Sequence, residues 1–219
     1  MTEQQRAVAD AYDEEAEATG WYGPEVAFGL AFDAVRPDES VLDLGIGTGR
    51  AAALFRRAGL RAAGMDVSQE MLDVCRARGF TDLERHDLTS PPYPFGAETF
   101  DHIVCVGVLN FIGDLTPVFA EAARILRGGG RFVFVVGDRR EDEAAEVVVG
   151  AEHTGERGPV TMYRHSAAQV RGWLAENGFT PERDLAFSVP MDRGRTRVLP
   201  ARAYLASRGE GARGWAGAP

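Results

Sequence analysis

A glycine-rich loop holds the first residues whose types and spacing could do chemistry. Gly45, Gly47 and Gly49 alternate between an apolar strand-like segment and a helix-like one. Glycines accept positive φ angles and let a ligand touch the backbone at a helix N-terminus. A dinucleotide-binding fingerprint needs its third glycine at position 50, where this chain has Arg50. The nearby acid Asp43 suits a ligand with ammonium and sulfonium charges better than a pyrophosphate, although a tight strand-to-helix turn would also explain the glycines.

Two further acids stand where strands are expected to end. Asp66 closes the apolar segment 61–66, and Asp87 lies near the end of a weaker segment, 83–88. The carboxyl ends of parallel strands meet at one edge of a sheet, so both carboxylates would face the crevice beside the glycine loop. Asp66 could accept both hydroxyls of a ribose, and Asp87 an adenine amino hydrogen. The alternative is that both are solvated strand ends. Asp101 starts a strand and is expected to be structural.

The elements that must position these residues alternate between strand-like and helix-like segments. This alternation indicates a parallel sheet covered on both faces. The last two strands are joined by a short turn at 192–194, which is too short for a parallel crossover. We therefore predict an α/β fold: a Rossmann-like seven-stranded sheet, mostly parallel, with an antiparallel C-terminal hairpin strand and helices on both faces. The expected strands are residues 40–44, 61–66, 83–88, 100–106, 131–136, 185–189 and 196–206.

The domain organisation follows from the segments outside this repeat. Residues 1–37 are predicted to form an N-terminal helical lid, with 24–36 helical throughout. The core is expected over residues 38–206. Within it, the polar and acidic residues 138–162 are predicted to form an irregular insertion. The Gly- and Ala-rich residues 207–219 are predicted to form a flexible tail.

Composition limits the classes of partner. The chain has 219 residues and a net charge of −9, and its 24 basic residues are all arginine. An acidic chain repels a phosphate backbone, so we expect no nucleic-acid partner. The four histidines and two cysteines lack metal-ligand spacing, so no metal is expected. The N-terminus lacks a signal-peptide pattern, and no apolar run is long enough to span a membrane, so a cytoplasmic location is expected. We also expect a monomer or a homodimer.

Five motifs in a fixed order define a family resemblance. They are VLDLGIGTG, GMDVSQEML, RHDL, FDHIVCVGVLNFIGD and LRGGGRFVFVV. With these motifs, the chain resembles a class I S-adenosylmethionine-dependent methyltransferase of the small-molecule type over about residues 10–206. The resemblance implies S-adenosylmethionine as cofactor and S-adenosylhomocysteine as product. It also implies in-line methyl transfer to an O or N atom of a small-molecule acceptor.

The resemblance also implies a role for each part of the cofactor site. The 45–49 loop would cradle the methionine part, Asp66 would hold the ribose, and Asp87 with Leu88 would flank the adenine. The backbone of 106–107 would face the methionine amino group. The expected cofactor-binding residues are Tyr12, Tyr22, Asp43, Gly45, Ile46, Gly47, Thr48, Gly49, Asp66, Val67, Met71, Asp87, Leu88, Val106 and Gly107.

The leading tyrosines and the acceptor side are less defined by the resemblance. A tyrosine of the leading helix often reaches the cofactor carboxylate in relatives, and Tyr12 or Tyr22 would take that place. Many relatives carry histidines after the fourth strand, where this chain has Asn110. His165, at the expected start of a helix beside the lid, is the candidate general base, and Asn110 is a candidate for the acceptor side. His165 could equally be a surface or capping histidine, and Asn110 a packing residue.

Two other functions remain open at this stage. A non-methylating S-adenosylmethionine-binding protein would keep the same motifs. A nicotinamide-dependent oxidoreductase is disfavoured by Arg50 and Asp43, which do not suit a dinucleotide loop.

Overall fold

The computed structural model describes residues 13–14, 16–150 and 159–209, and these fold into a layered α/β structure. The strands are β1 (Ser40–Leu44), β2 (Arg61–Asp66), β3 (Asp82–Arg85), β4 (Phe100–Cys105), β5 (Leu126–Arg139), β6 (Glu146–Val149), β7 (Val160–Ser166), β8 (Phe179–Pro190) and β9 (Val198–Arg208). The helices with complete bounds are α1 (Gly23–Ala31), α2 (Arg50–Arg57), α3 (Gln69–Ala77), α4 (Thr116–Ile125) and α5 (Ala167–Glu176). A 3-10 turn, Leu109–Phe111, follows β4.

The sheet has the predicted topology. Its strands lie in the order β3-β2-β1-β4-β5-β7-β6, and β9 also pairs with β5. The pairs from β3 to β5, and the pair of β5 with β7, are parallel, whereas β9 is antiparallel to both β5 and β8. The carboxyl ends of β1, β2, β3 and β4 therefore meet at one edge. The Rossmann-like fold with an antiparallel C-terminal hairpin is confirmed.

The described part of the sheet has nine strands, two more than the sequence predicted. The difference arises in residues 138–162, which were expected to be irregular. There β5 continues to Arg139, and the short β6 and β7 pair antiparallel from Val149 with Val160 to Glu146 with Tyr163. Two short runs rich in β-branched residues satisfy each other's backbone hydrogen bonds, which the polar composition of the segment concealed. Residues 151–158 lie outside the described part.

Residues 207–208, which were expected to belong to a flexible tail, are part of β9. β9 runs to Arg208, and Ser207 is paired with both Arg131 of β5 and Thr180 of β8. Backbone hydrogen bonds to two neighbouring strands order this position, whatever its side chain. Residues 210–219 lie outside the described part of the chain.

Alternate side chains of the central strands fill two hydrophobic layers. On β5, Phe132 and Phe134 join the layer that includes α4 and α5, whereas Val133 and Val135 join the layer that includes α1 and α2. This period of two is what a strand covered on both faces requires. The core therefore holds the central strands rigidly, and with them the loops at their carboxyl ends.

Helix α1 is part of this core. It spans Gly23–Ala31, which is shorter than the predicted 24–36. Ala27 and Ala31 are fully buried in the layer that contains Phe55 of α2 and Leu205 of β9. The second half of the expected lid is thus a fixed layer over the sheet. Among the described residues, no helix is long and apolar enough to cross a membrane.

Candidate active site

The glycine loop is fastened to the end of β2 by backbone hydrogen bonds. The amides of Gly45 and Ile46 both donate to the carbonyl of Met65, at 2.8 and 3.0 Å. The amide of Gly49 then turns back to the carbonyl of Ile46 at 2.8 Å, and α2 begins at the next residue. The loop therefore has a fixed position at the edge of the sheet where β1, β2, β3 and β4 end, which we call the carboxyl edge.

Glycine is needed at two positions of this loop for different reasons. Gly45 has a φ of +73°, and a Cβ there would lie 2.3 Å from Cγ2 of Val108. Gly47 has a φ of +53°, but a Cβ there would meet nothing within 4 Å. The space beside Gly47 is thus open, and a ligand could touch the backbone there.

Asp66 joins the end of β2 to the glycine loop. Its Oδ2 accepts a hydrogen bond from the Gly47 amide, and its Oδ1 accepts one from the Ser68 amide, both at 2.8 Å. The structure thus brings two predicted site residues, Asp66 and Gly47, into direct contact. Each carboxylate oxygen has a second lone pair, so Asp66 can still accept hydrogen bonds from a ligand.

Two other predicted site residues are directed into the protein. Asp43 is 2% exposed, and its Oδ2 accepts a hydrogen bond from the Ala52 amide at 3.0 Å. Burial raises the pKa of the Asp43 carboxyl to about 7. Ile46 is also buried and packs against Gly64, where a Cβ would lie 2.3 Å from Cδ1 of Ile46. Asp43 therefore anchors the start of α2, and Ile46 anchors the loop.

The end of β3 lies next to the end of β2 at the same edge of the sheet. The His86 amide donates to the carbonyl of Asp66 at 3.0 Å, which brings Asp87 close to Asp66 along the edge. Asp87 is exposed, and its Oδ1 accepts hydrogen bonds from the amide and hydroxyl of Thr89. These bonds hold the pKa of Asp87 below its usual value. Its Oδ2 accepts no hydrogen bond from the described residues.

Apolar side chains lie near these carboxylates. Val67 follows Asp66 and is 60% exposed, so its apolar side chain is accessible beside the carboxylate. Met71 is half-buried at the start of α3. Leu88 is buried, and its carbonyl accepts a hydrogen bond from the Tyr93 hydroxyl at 2.9 Å. The edge thus combines hydrogen-bond acceptors with apolar surface.

The backbone after β4 forms the opposite side of the glycine loop. Val106 and Gly107 are half-buried, and Gly107 has a φ of +79°. A Cβ on Gly107 would lie 3.5 Å from Cζ2 of Trp21, so the indole covers this backbone. Asn110 is half-buried in the 3-10 turn, and its side-chain amide has no hydrogen-bond partner among the described residues.

His165 lies behind this turn. It is 3% exposed at the end of β7, and its ring packs edge-on against Trp173, with centroids 5.2 Å apart. Burial holds the pKa of His165 below its usual value, and the backbone of Leu109 and Ile112 opposes this shift in part. Its Nε2 is buried without a partner among the described residues. In this arrangement, His165 supports the turn that carries Asn110.

The structure describes only one of the two predicted tyrosines. Tyr22 lies directly before α1 and is 52% exposed. Tyr12 lies outside the described residues. Sequence reasoning missed Trp21 and Asp13, which approach the site from the N-terminal segment. No local pattern marks either one, because each contact is made across a long stretch of sequence.

These features fit the cofactor that the resemblance implies. An open backbone at Gly47, the carboxylates of Asp66 and Asp87, and the exposed Val67 suit a ligand with a ribose and an apolar heterocycle. Arg50, at the start of α2, has a buried Nη1 without a partner among the described residues, which suits a carboxylate. Among all the residues that the structure describes, no three His, Cys, Asp or Glu side chains form a group that could hold a metal ion.

Comparison with known proteins agrees with this geometry. The profile of a family described as a methyltransferase domain matches residues 42–134, a range that runs from β1 into β5. The demethylmenaquinone methyltransferase of Tropheryma whipplei (strain Twist) is 36% identical over 101 residues. The aligned part is 45% of this chain and 42% of that protein, so the chain spans less than half of this relative's length.

Solved structures resemble the chain over most of its length. A S-adenosylmethionine-dependent methyltransferase from Methanosarcina mazei has a TM-score of 0.71 and 15% identity, covering 83% of this chain and 98% of that one. A methyltransferase of Haloferax volcanii, solved in complex with the Trm112 methyltransferase activator, has a TM-score of 0.70 and 25% identity, covering 94% and 96%. Residues 42–134 are therefore similar to a methyltransferase domain, and the chain has the fold of these solved methyltransferase structures.

Proposed function

We propose that the protein is a methyltransferase that uses S-adenosylmethionine to methylate an O or N atom of a small-molecule acceptor, releasing S-adenosylhomocysteine. The observation that carries this proposal is the hydrogen bond from the Gly47 amide to Asp66, at 2.8 Å. It joins a ligand-accessible backbone to a strand-end carboxylate at the carboxyl edge, where open α/β sheets bind ligands. The matched methyltransferase domain contains both residues.

Each part of the cofactor then has a proposed partner in the chain. The 45–49 loop would hold the methionine part, with Thr48 and Gly49 closing the turn. Asp66 would accept the ribose hydroxyls, and the backbone of 106–107 would face the amino group. The adenine would lie between Asp87 and the apolar side chains of Val67, Met71 and Leu88. Arg50 joins Tyr12 and Tyr22 as a candidate for the carboxylate, because its Nη1 is buried and unpartnered within the described residues.

The chain's own contribution to the reaction is mainly alignment and exclusion of water. A sulfonium methyl group is already activated for displacement, so no further activation of the donor is required. The rigid loop and the 106–107 backbone would hold the donor, and Trp21 would keep water from the 106–107 side. Because His165 is 3% exposed and lies against the backbone of the Asn110 turn, we propose that it positions this turn. Asn110 would then be the polar group that meets the acceptor.

The acceptor side supports a flat, apolar acceptor. Trp21 covers Gly107, Phe111 is 47% exposed, and Tyr163 lies against Gly113, where a Cβ would be 2.9 Å from its ring. Aromatic side chains offer large apolar contact at low entropic cost. We therefore propose an aromatic hydroxyl or amine as the methylated group. The Tropheryma relative is named for demethylmenaquinone, a quinone, which is consistent with a flat, apolar acceptor.

Partners and location follow from the same surface and composition. We propose a monomer or homodimer that binds a small acceptor and no nucleic acid, since the net charge is −9. We also propose a cytoplasmic location, because Cys75 and Cys105 are buried free thiols, as is common in a reducing compartment. Cell fractionation and size-exclusion chromatography would test these two points.

The function can be tested by measuring the release of S-adenosylhomocysteine with a panel of acceptors. The masses of the products should be determined in the same experiment. The panel should contain aromatic hydroxyls and amines, matched aliphatic alcohols and amines, and a short peptide. Release that depends on an aromatic member, with a product heavier by one methylene, is the expected result. Binding of S-adenosylmethionine without release across the panel would favour a non-methylating binder. Release with aliphatic members alone would contradict the proposed acceptor class.

A further inference from the structure

Asp13 ties the N-terminal segment to the glycine loop through two other side chains. Its Oδ1 accepts a hydrogen bond from the Thr48 hydroxyl at 2.8 Å, and its Oδ2 lies 2.7 Å from Nη1 of Arg78. The same Nη1 donates to the carbonyl of Thr48 at 2.8 Å. Asp13, Thr48 and Arg78 therefore form a closed triangle on the outer side of the loop. Thr48 itself is 3% exposed, so the triangle covers it.

The other end of this segment reaches the opposite side of the cleft. Residues 13–14 and 16–19 are helical, and the Trp21 amide donates to the carbonyl of Ala16 at 2.8 Å. The Trp21 indole then covers Gly107, beyond the end of β4. We call residues 13–14 and 16–22 the strap. It runs from the glycine loop to the backbone after β4, which are the two walls between which the cofactor is proposed to lie.

We propose that Asp13 is a positioning residue that fastens the strap across the cofactor cleft, holding the cleft closed while methyl transfer takes place. This inference rests on the proposed function. A cofactor between the glycine loop and Gly107 would lie under the strap, which excludes water from it. Asp13 touches neither reactant, and it acts through Thr48 and Arg78.

The contacts of Asp13 suit a fastener that must open on every turnover. The side chains of Arg78 and Asp13 are 34% and 20% exposed, so water can replace the pair when the strap lifts. Helix α1, by contrast, is buried in the core and gives the strap a fixed attachment at its far end. Opening would therefore begin with the release of the Asp13 end.

The main test compares Asp13→Ala with the wild-type protein. We expect S-adenosylhomocysteine to dissociate about 3- to 10-fold faster from the variant, as expected for the loss of a part-exposed ion pair and one hydrogen bond. Hydrogen exchange at residues 16–22 should also become faster in the absence of any ligand. The turnover number should fall more than the Michaelis constant for the acceptor rises, since Trp21 on the acceptor side is also held by its packing against the core.

Two further variants separate positioning from a loss of folding. Asp13→Arg combined with Arg78→Asp keeps the pair with its charges exchanged, and it should recover much of the slow dissociation that either change alone removes. Asp33→Ala is the matched control, because Asp33 forms an exposed ion pair with Arg183 at 2.7 Å outside the cleft. It should leave dissociation and exchange at 16–22 unchanged.

The outcomes distinguish this inference from the proposed function. If wild-type protein binds S-adenosylhomocysteine and Asp13→Ala releases it at the wild-type rate, the strap is contradicted while the function stands. If Asp33→Ala has the same effect as Asp13→Ala, the effect is general destabilisation and the strap is again contradicted. Wild-type protein that binds neither the cofactor nor its product contradicts both.

Discussion

The two halves of the carboxyl edge are built in different ways. On the cofactor half, the ends of β1, β2 and β3 are joined by short hydrogen bonds within and between neighbouring loops, such as Gly47 to Asp66. On the acceptor half, the turn after β4 is held from outside by His165 of β7 and covered by Trp21 of the N-terminal segment. The first half is a property of local motifs. The second half depends on segments that are distant in sequence.

The largest expected effect is a loss of cofactor affinity when the open backbone at Gly47 is blocked. Gly47→Ala places a methyl group in the space that the cofactor is proposed to fill, at a φ of +53°. We expect cofactor affinity to fall by about 100-fold or more, measured by calorimetric titration. Gly129→Ala is the matched control, because Gly129 has a φ of +78° and equally open surroundings but lies near the start of β5, between the paired residues Leu126 and Arg131. The control should lose stability alone, and equal losses of affinity would contradict the cradle.

A smaller effect is expected from the carboxylate that joins loop and strand. Asp66→Ala removes hydrogen bonds to a charged group worth about 1.5–3 kcal/mol, so cofactor affinity should fall roughly 10- to 100-fold. The variant should also be less stable without cofactor, because the Gly47 and Ser68 amides lose their acceptor. Asp101→Ala, at the opposite edge, removes similar bonds to Ser40 and Arg127 and should reduce stability without reducing affinity. A titration in which Asp66→Ala binds normally would show that Asp66 only holds the loop.

How much the sequence could predict follows the same division. The alternation of strands and helices from β1 to β5, the antiparallel C-terminal hairpin and the place of Asp66 at the end of β2 were predicted correctly, because each depends on residues close in sequence. The β6–β7 hairpin was missed, since two short strands stabilise each other only when paired. The burial of His165 follows from that hairpin. The contacts of Asp13 and Trp21 span many residues, and a single sequence carries no signal for them.

The role of the acceptor half can be tested by a substitution of His165, the residue that supports its turn. His165→Ala removes a buried ring that packs against Trp173 behind the turn, which loosens the turn that carries Asn110. We expect the turnover number to fall roughly 10-fold, with cofactor affinity unchanged. Steady-state kinetics and titration on one preparation would check both. His165→Asn should recover part of the rate by supplying a donor, whereas a general base would show no such recovery.

The smallest effect on cofactor binding is expected from a substitution of Asp43. Its main consequence is a change in the pH dependence of folding stability. Burial raises the pKa of Asp43 to about 7 in the folded protein, above the value of about 3.9 expected when unfolded. The folded state therefore binds more protons between these values, and this stabilisation is lost as pH rises toward and through about 7. Asp43→Asn should flatten the fall in the urea midpoint between about pH 5 and 8. An unchanged slope would mean that Asp43 is already ionised under the loop.

The comparison of cofactor and nicotinamide binding tests the central claim most directly. Thermal unfolding should be followed with S-adenosylmethionine, S-adenosylhomocysteine and NAD, each at about 100 times its dissociation constant or at the solubility limit. We expect the first two to stabilise the fold by about 2.7 kcal/mol, a rise in Tm of roughly 5–10 °C, and NAD to have no effect. A rise with NAD and none with S-adenosylmethionine would contradict the claim that the glycine loop and Asp66 bind the methyl donor.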